Sequence, residues 1–217
     1  MNTLLFLLFL ALLLIVPFYI IYKPPAALIR HFAQKWPDVL FEVPTEKKII
    51  ALTIDDAPSV YTRQIMELLR ANDAKATFFV IGSQVEGREE RLSELVRNGN
   101  ELGNHAMHDE PSRSLSDAQL ESEIYEVRKM LFDVYDKEGM DPPNNYFRPG
   151  SGFFSNRMRR LVLSSSDFER GLVFYHVALF FVEFDNESVL RSIVKMLEKG
   201  LDIVLASLSL AIDLGVS

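Results

Sequence analysis

The chain has 217 residues, with 23 Lys and Arg against 30 Asp and Glu, a formal net charge of −7 and no cysteine. Disulfides and thiolate ligands are therefore excluded, and any bound metal must use His, Asp or Glu. No basic run or aromatic-interleaved basic stretch points to nucleic acid.

Residues 4–22, bounded by Leu4 and Tyr22, are 19 positions without a charge. As a helix they would extend roughly 28 Å, close to the ~30 Å hydrocarbon core of a bilayer. No Lys or Arg precedes Lys23 and no small-x-small cleavage site follows. A retained single-pass transmembrane helix over 1–23 is expected rather than a cleaved signal peptide. Lys23, Arg30 and Lys35 follow the span, which by the positive-inside rule favours a cytoplasmic domain. Residues 24–46 read as a linker, stiff at Lys23-Pro24-Pro25 and ending near Pro44. What remains, 47–217, is one domain of ordinary size, though short for an α/β barrel of about 250 residues.

Within that domain, strand and helix patterns alternate. Residues 48–54 (KIIALTI) and 76–81 (ATFFVI) are short β-rich runs. Between them, 61–71 places Tyr61, Ile65, Leu68 and Leu69 on one helical face. Residues 88–98 form a second helix, stopped by Gly99, and 101–103 a brief strand. The longest helix is expected over 116–135, opened by a Ser116/Gln119 capping box, with Leu120, Ile124, Val127, Leu131 and Val134 as its apolar stripe. A loop over 136–145 leads to a short strand at Tyr146 and Phe147. Such alternation predicts an α/β fold with parallel strands, whose reactive groups lie at the carboxyl ends of the strands.

Three clusters fall at those ends. In Thr53-Ile54-Asp55-Asp56-Ala57-Pro58-Ser59, two adjacent carboxylates follow a buried strand. Turn chemistry alone could place them there. Keeping both ionised, however, favours a nearby cation or a shared proton. Gly103-Asn104-His105-Ala106-Met107-His108-Asp109 holds two of the four histidines. His105, His108 and Asp109 at i, i+3 and i+4 can face one side of a helical turn, and their donors suit zinc. In Phe147-Arg148-Pro149-Gly150-Ser151-Gly152, Arg148 can pair with a carboxylate and hold its pKa low, and the glycines let backbone amides approach a ligand.

TIDDAPS, GNHAMHD and FRPGSG, in this order on successive strands and flanked by ATFFVIG, resemble the polysaccharide deacetylases, also called the NodB-homology or chitin deacetylase family. The resemblance covers about 48–158. It implies a distorted (β/α) barrel, zinc or another divalent metal, and removal of N-acetyl groups from a chitin-like or peptidoglycan-like polysaccharide. It also implies that Asp55 is the general base, Asp56 and His105 are metal ligands, and Arg148 orients Asp55. His108 or Asp109 would complete the ligand set: the family pair is spaced i, i+4, whereas His108 stands at i+3 and Asp109 at i+4. A backbone N–H of the Gly150–Gly152 turn would stabilise the oxyanion. The family works on the extracellular or lumenal side, opposite to the reading from basic residues.

The region after Arg148 departs from the family. No acidic motif and no Leu-x-His motif follow, so the usual general acid has no counterpart, and His176 lies in an apolar run. Residues 194–209 resemble the helix and strand expected soon after Arg148, so 163–193 reads as an insertion and the end as truncated, the pattern of an altered gene model. The expected barrel is therefore incomplete, with 163–217 atypical. A catalytically inactive, membrane-tethered glycan binder and an amidase acting on a small C–N substrate are the competing functions.

Overall fold

The computed structural model describes residues 24–41, 52–141, 144–150 and 154–164, scattered positions between 6 and 20, and the backbone of 172–173. The expected start of the first strand, Ser151 and Gly152, and His176 with 165–171 and the remainder of 174–217 lie outside these residues.

The alternating patterns become a parallel α/β unit. Strand β2 (Thr53–Ala57) is followed by helix α2 (Thr62–Ala71), then β3 (Thr77–Val80), a one-turn 3-10 helix (Gly82–Gln84), helix α3 (Glu89–Arg97), and β4 (Glu101–Asn104). The three strands pair in parallel in the order β2-β3-β4, with Thr53 opposite Thr77 and Thr77 opposite Glu101. A parallel bridge from Asn104 to Phe147 extends the sheet by one further position. Residues of β3 and β4 are almost wholly buried, as expected of parallel strands covered by helices.

The long helix, α4, runs over Asp117–Lys137. Its capping box forms as the sequence predicts: the Ser116 hydroxyl accepts from the Gln119 amide, and the Gln119 side chain accepts from the Ser116 amide. Leu120, Ile124, Val127, Leu131 and Val134 are all buried. The inner end of this stripe joins Ile54, Phe78, Val80, Leu92, Leu95 and Leu102 in the main core. Each such side chain contributes about 1.5–3 kcal/mol through burial.

In the region expected to be a linker, 24–41 are described and carry regular structure. Ala26–Lys35 is a helix, α1, and Val39–Leu40 a strand, β1, which pairs in parallel with Leu172–Val173. The stretch from Trp36 to Val39, after the helix, packs on the domain. Val39 is buried with Phe147, Met158 and Val162, and Trp36 meets the Phe154 ring edge-on at 5.2 Å. Met158 and Val162 belong to a helix over Asn156–Ser164, α5, which the strand–helix patterning did not indicate. Arg159 of α5 makes a two-pronged pair with Asp38. This pair holds the Asp38 carboxyl below the usual carboxylate range, mainly through hydrogen bonding, against the opposing effect of burial.

Within the apolar N-terminal run, Phe6, Phe9, Leu12, Leu13, Ile15, Val16, Tyr19 and Ile20 are helical with exposed side chains. Among the described residues no helix is long and apolar enough to cross a membrane.

Candidate active site

In a regular strand, Asp55 and Asp56 would point to opposite faces of the sheet. Here the register shifts between Ile54 and Ala57, and Asp56 adopts a left-handed backbone with φ 59°. The irregularity re-aims the second carboxylate toward the same strand ends as the first. The turn that follows is held by its carbonyls: Ile81 N–H donates to Ala57 O at 2.9 Å, and Arg91 donates to Ser59 O at 2.6 Å.

A parallel device operates after β4. His105 N–H donates to Val80 O at 2.9 Å, and Ala106 then turns into the left-handed region with φ 66°. The Asn104 side chain holds this turn, accepting from Ala106 N–H at 2.9 Å and donating to Ile124 O at 2.7 Å. The Asn104 backbone also exchanges hydrogen bonds with Tyr146 O and Arg148 N–H. Asn104 therefore fixes both neighbouring segments. It lay inside a quoted motif, but its residue type gave no signal of this role.

Arg148 is 1% exposed and Asp55 8% exposed. The guanidinium donates to Asp55 Oδ1 and, at 3.1 Å, to the Thr53 hydroxyl. Its carbon lies 3.9 Å from the centre of the Phe79 ring, a cation–π contact. Gly103 makes room for that ring, since a Cβ there would come within 2.7 Å of it. The expectation that Arg148 would hold the Asp55 pKa low is not met. Burial raises it, Arg148 and His105 lower it in part, and the neighbouring Asp56 adds to the rise. The arginine sets the geometry, while desolvation decides the direction of the shift.

His105 is also buried, with Nδ1 2.7 Å from Arg148 O. A carbonyl only accepts, so Nδ1 carries the proton and Nε2 keeps its lone pair in the neutral ring. That Nε2 lies 3.6 Å from Asp56 Oδ1. Two donors on one tetrahedral zinc, each about 2.0–2.1 Å from the ion, stand about 3.3–3.4 Å apart. Asp56 and His105 thus fit two positions around a divalent ion.

The third position is not assembled with these two. The segment from 105 to 110 is not helical, and the turn at Ala106 removes the i, i+3 relation on which the sequence reading relied. His105 is buried, whereas His108 and Asp109 are exposed. Among the described residues no group of three or more His, Asp or Glu is placed to hold a metal.

Of the turn expected to supply the oxyanion donor, Gly150 is described. Gly150 N–H already donates to the buried Ser112 hydroxyl at 2.8 Å. A Cβ at Gly150 would meet Glu110 O at 2.2 Å, so glycine is needed here for close backbone packing against the loop that carries His108 and Asp109.

The family profile described as polysaccharide deacetylase matches residues 42–166. A Bacillus cereus peptidoglycan-N-acetylglucosamine deacetylase is 36% identical over 130 residues, covering 59% of this chain and 58% of that protein. The solved structure of the Bacillus subtilis peptidoglycan deacetylase PdaC is 29% identical, with a TM-score of 0.51 over 62% of each chain. A family 4 carbohydrate esterase pseudoenzyme from Bacillus anthracis is 25% identical, with a TM-score of 0.51 over 61% of this chain and 44% of that one. The chain spans less than two thirds of the length of each of these relatives. With a profile match over more than half its length, and with the paired aspartates, His105 and Arg148 gathered at the ends of parallel strands, the chain belongs to the polysaccharide deacetylase family.

Proposed function

We propose that this protein is a metal-dependent hydrolase that removes N-acetyl groups from a polysaccharide of N-acetylglucosamine, chitin-like or peptidoglycan-like. The observation that carries the proposal is the juxtaposition of the Arg148–Asp55 pair with the Asp56–His105 pair, whose facing atoms stand 3.6 Å apart. Asp56 and His105 would hold the ion, zinc by their donor chemistry, with either His108 or Asp109 as the third ligand. When bound, the ion supplies Lewis acidity to the acetamide carbonyl and to the attacking water.

This chain's own residues supply the rest. Arg148 fixes the Asp55 carboxylate, and burial makes that carboxylate a stronger base than a solvated one. Asp55 takes a proton from the water as its oxygen bonds to the acetamide carbon. Breaking the C–N bond then requires a proton on the departing nitrogen. Among the described residues of the site no further histidine is present to donate it, so protonated Asp55 is the acid at hand. The products are acetate and a free amine. His105 keeps its ring orientation and tautomer through Arg148 O, which leaves Nε2 free to bind.

The testing experiment is acetate release from N-acetylated chitin oligosaccharides by the full chain in mild detergent. The reading expects release that Asp55→Asn abolishes. Undiminished release in the Asp55→Asn chain would overturn the assignment of the base.

A specific observation favours a second reading, a catalytically inactive glycan binder: His108 and Asp109 stand exposed, away from the other two ligands. It expects bound metal without acetate. The proposal also includes single-pass membrane attachment through residues 4–22, with the domain on the extracellular or lumenal side. It is supported by the exposed apolar side chains from Phe6 to Ile20 that are described. Retention in the membrane pellet after alkaline extraction would bear on it, and full release would contradict it.

A further inference from the structure

The two left-handed residues of the site, Asp56 and Ala106, lie on different strand ends, yet one short element touches both. The 3-10 turn Gly82–Gln84 donates from Gly82 N–H to Ala106 O at 3.0 Å and from Ser83 N–H to Met107 O at 2.9 Å. On its other side, the half-buried Gln84 side chain faces the Asp56 turn. Its amide orientation follows from its surroundings: the nitrogen belongs next to two carbonyls, where it donates to Asp56 O and Pro58 O at 3.1 Å each. The Gln84 backbone is itself secured, since Arg88 donates to its carbonyl at 2.9 Å.

We infer that Gln84 is a positioning residue for the candidate metal centre. Its side-chain amide clamps the left-handed turn at Asp56, while the backbone of the same 3-10 turn clamps the loop after His105, so this element sets the spacing between the two ligands. The physical reason is strain. A non-glycine residue in the left-handed region persists only where its surroundings over-determine it. The hydrogen bond from Gln84 to Asp56 O supplies that constraint on the carbonyl side, and the one to Pro58 O holds the turn two residues further on. Arg91 offers a natural control. It also donates to this turn, but to Ser59 O, three residues beyond Asp56, so it supports the fold of the turn without bearing on the ligand spacing.

The inference rests on the deacetylase reading only through the metal used as probe. The experiment titrates zinc alone into the full chain in mild detergent by calorimetry, for wild type, Gln84→Leu, Gln84→Glu and Arg91→Met, with thermal unfolding of each. Gln84→Glu keeps the shape but replaces the donor with an acceptor facing two carbonyls. Zinc affinity should fall about 10–100-fold in both Gln84 variants, as for other groups that orient a ligand. Arg91→Met should lose comparable thermal stability while its zinc affinity stays within about twofold. Where acetate release is measurable, kcat should fall in the Gln84 variants with KM little changed. Unchanged zinc affinity in Gln84→Leu, or an equal loss in Arg91→Met, would overturn the inference.

If the wild-type chain takes up no zinc, it is the deacetylase reading that fails, and crystal structures then decide the role of Gln84. Loss of the left-handed φ at Asp56 in Gln84→Leu supports the inference, and an unchanged turn overturns it.

Discussion

Replacing Arg148 with methionine isolates the electrostatics beneath the site. Methionine fills much of the same volume but leaves the Asp55 carboxylate buried without the guanidinium that donates to it, and removes the bond to the Thr53 hydroxyl and the contact with Phe79. Removing one partner of a buried ion pair costs about 3–5 kcal/mol. For a domain of this size that corresponds to a melting temperature lowered by ~6–20 °C. The loss should depend on pH. Asp55 already has a raised pKa in the fold, from burial above all, and without Arg148 it should rise further. The folded chain then holds a proton that the unfolded chain, with a carboxyl pKa of about 3.9, has released. Stability therefore falls as pH climbs from the unfolded value through the folded one, and the deficit of Arg148→Met is largest at neutral pH and shrinks toward pH ~4. The assay is urea unfolding of the full chain in detergent and chelator, followed by fluorescence of Trp36, which packs on Phe154. Adding Asp55→Asn to Arg148→Met should recover most of the loss. A pH-independent deficit, or no recovery in the double variant, would refute this account of the pair.

Two other substitutions probe the frame around the site. Gly103→Ala puts a Cβ within 2.7 Å of the Phe79 ring, so it should cost about 1–3 kcal/mol, and combining it with Phe79→Leu should restore part of the unfolding midpoint. Asp38→Asn loosens the tie between the segment after α1 and helix α5, and should cost about 1–2 kcal/mol at neutral pH. Because Arg159 lowers the Asp38 pKa, this contribution is present above the unfolded carboxyl value and is lost as pH falls through the folded one, so the variant and wild-type midpoints should converge in acid.

The parts of this fold that were legible in the sequence are those governed by local periodicity. The helix over Asp117–Lys137 declared itself through Ser116, Gln119 and one apolar stripe, because capping and amphipathicity are properties of neighbouring residues. The pairing of Arg148 with Asp55, 93 positions apart, was accessible only through the ordered set of motifs that signalled the family. What stayed hidden depends on non-local packing or on backbone strain. Trp36 and Val39 read as linker because the surface they pack against, α5 with Phe154, comes more than a hundred residues later. The relation between His105 and His108 was misjudged because a helical turn was assumed, and nothing in alanine announces a left-handed conformation at 106. The direction of the Asp55 shift followed from how deeply the pair is buried, a quantity the sequence does not carry.

The most direct test of the central claim is acetate release measured together with metal content, on the full chain stripped by chelator and then reloaded with zinc. The account predicts no acetate from the stripped chain, and release from N-acetylated chitin oligosaccharides restored as about one equivalent of zinc binds per chain. Acetate release that persists after stripping, or a fully loaded chain that releases none, would contradict it.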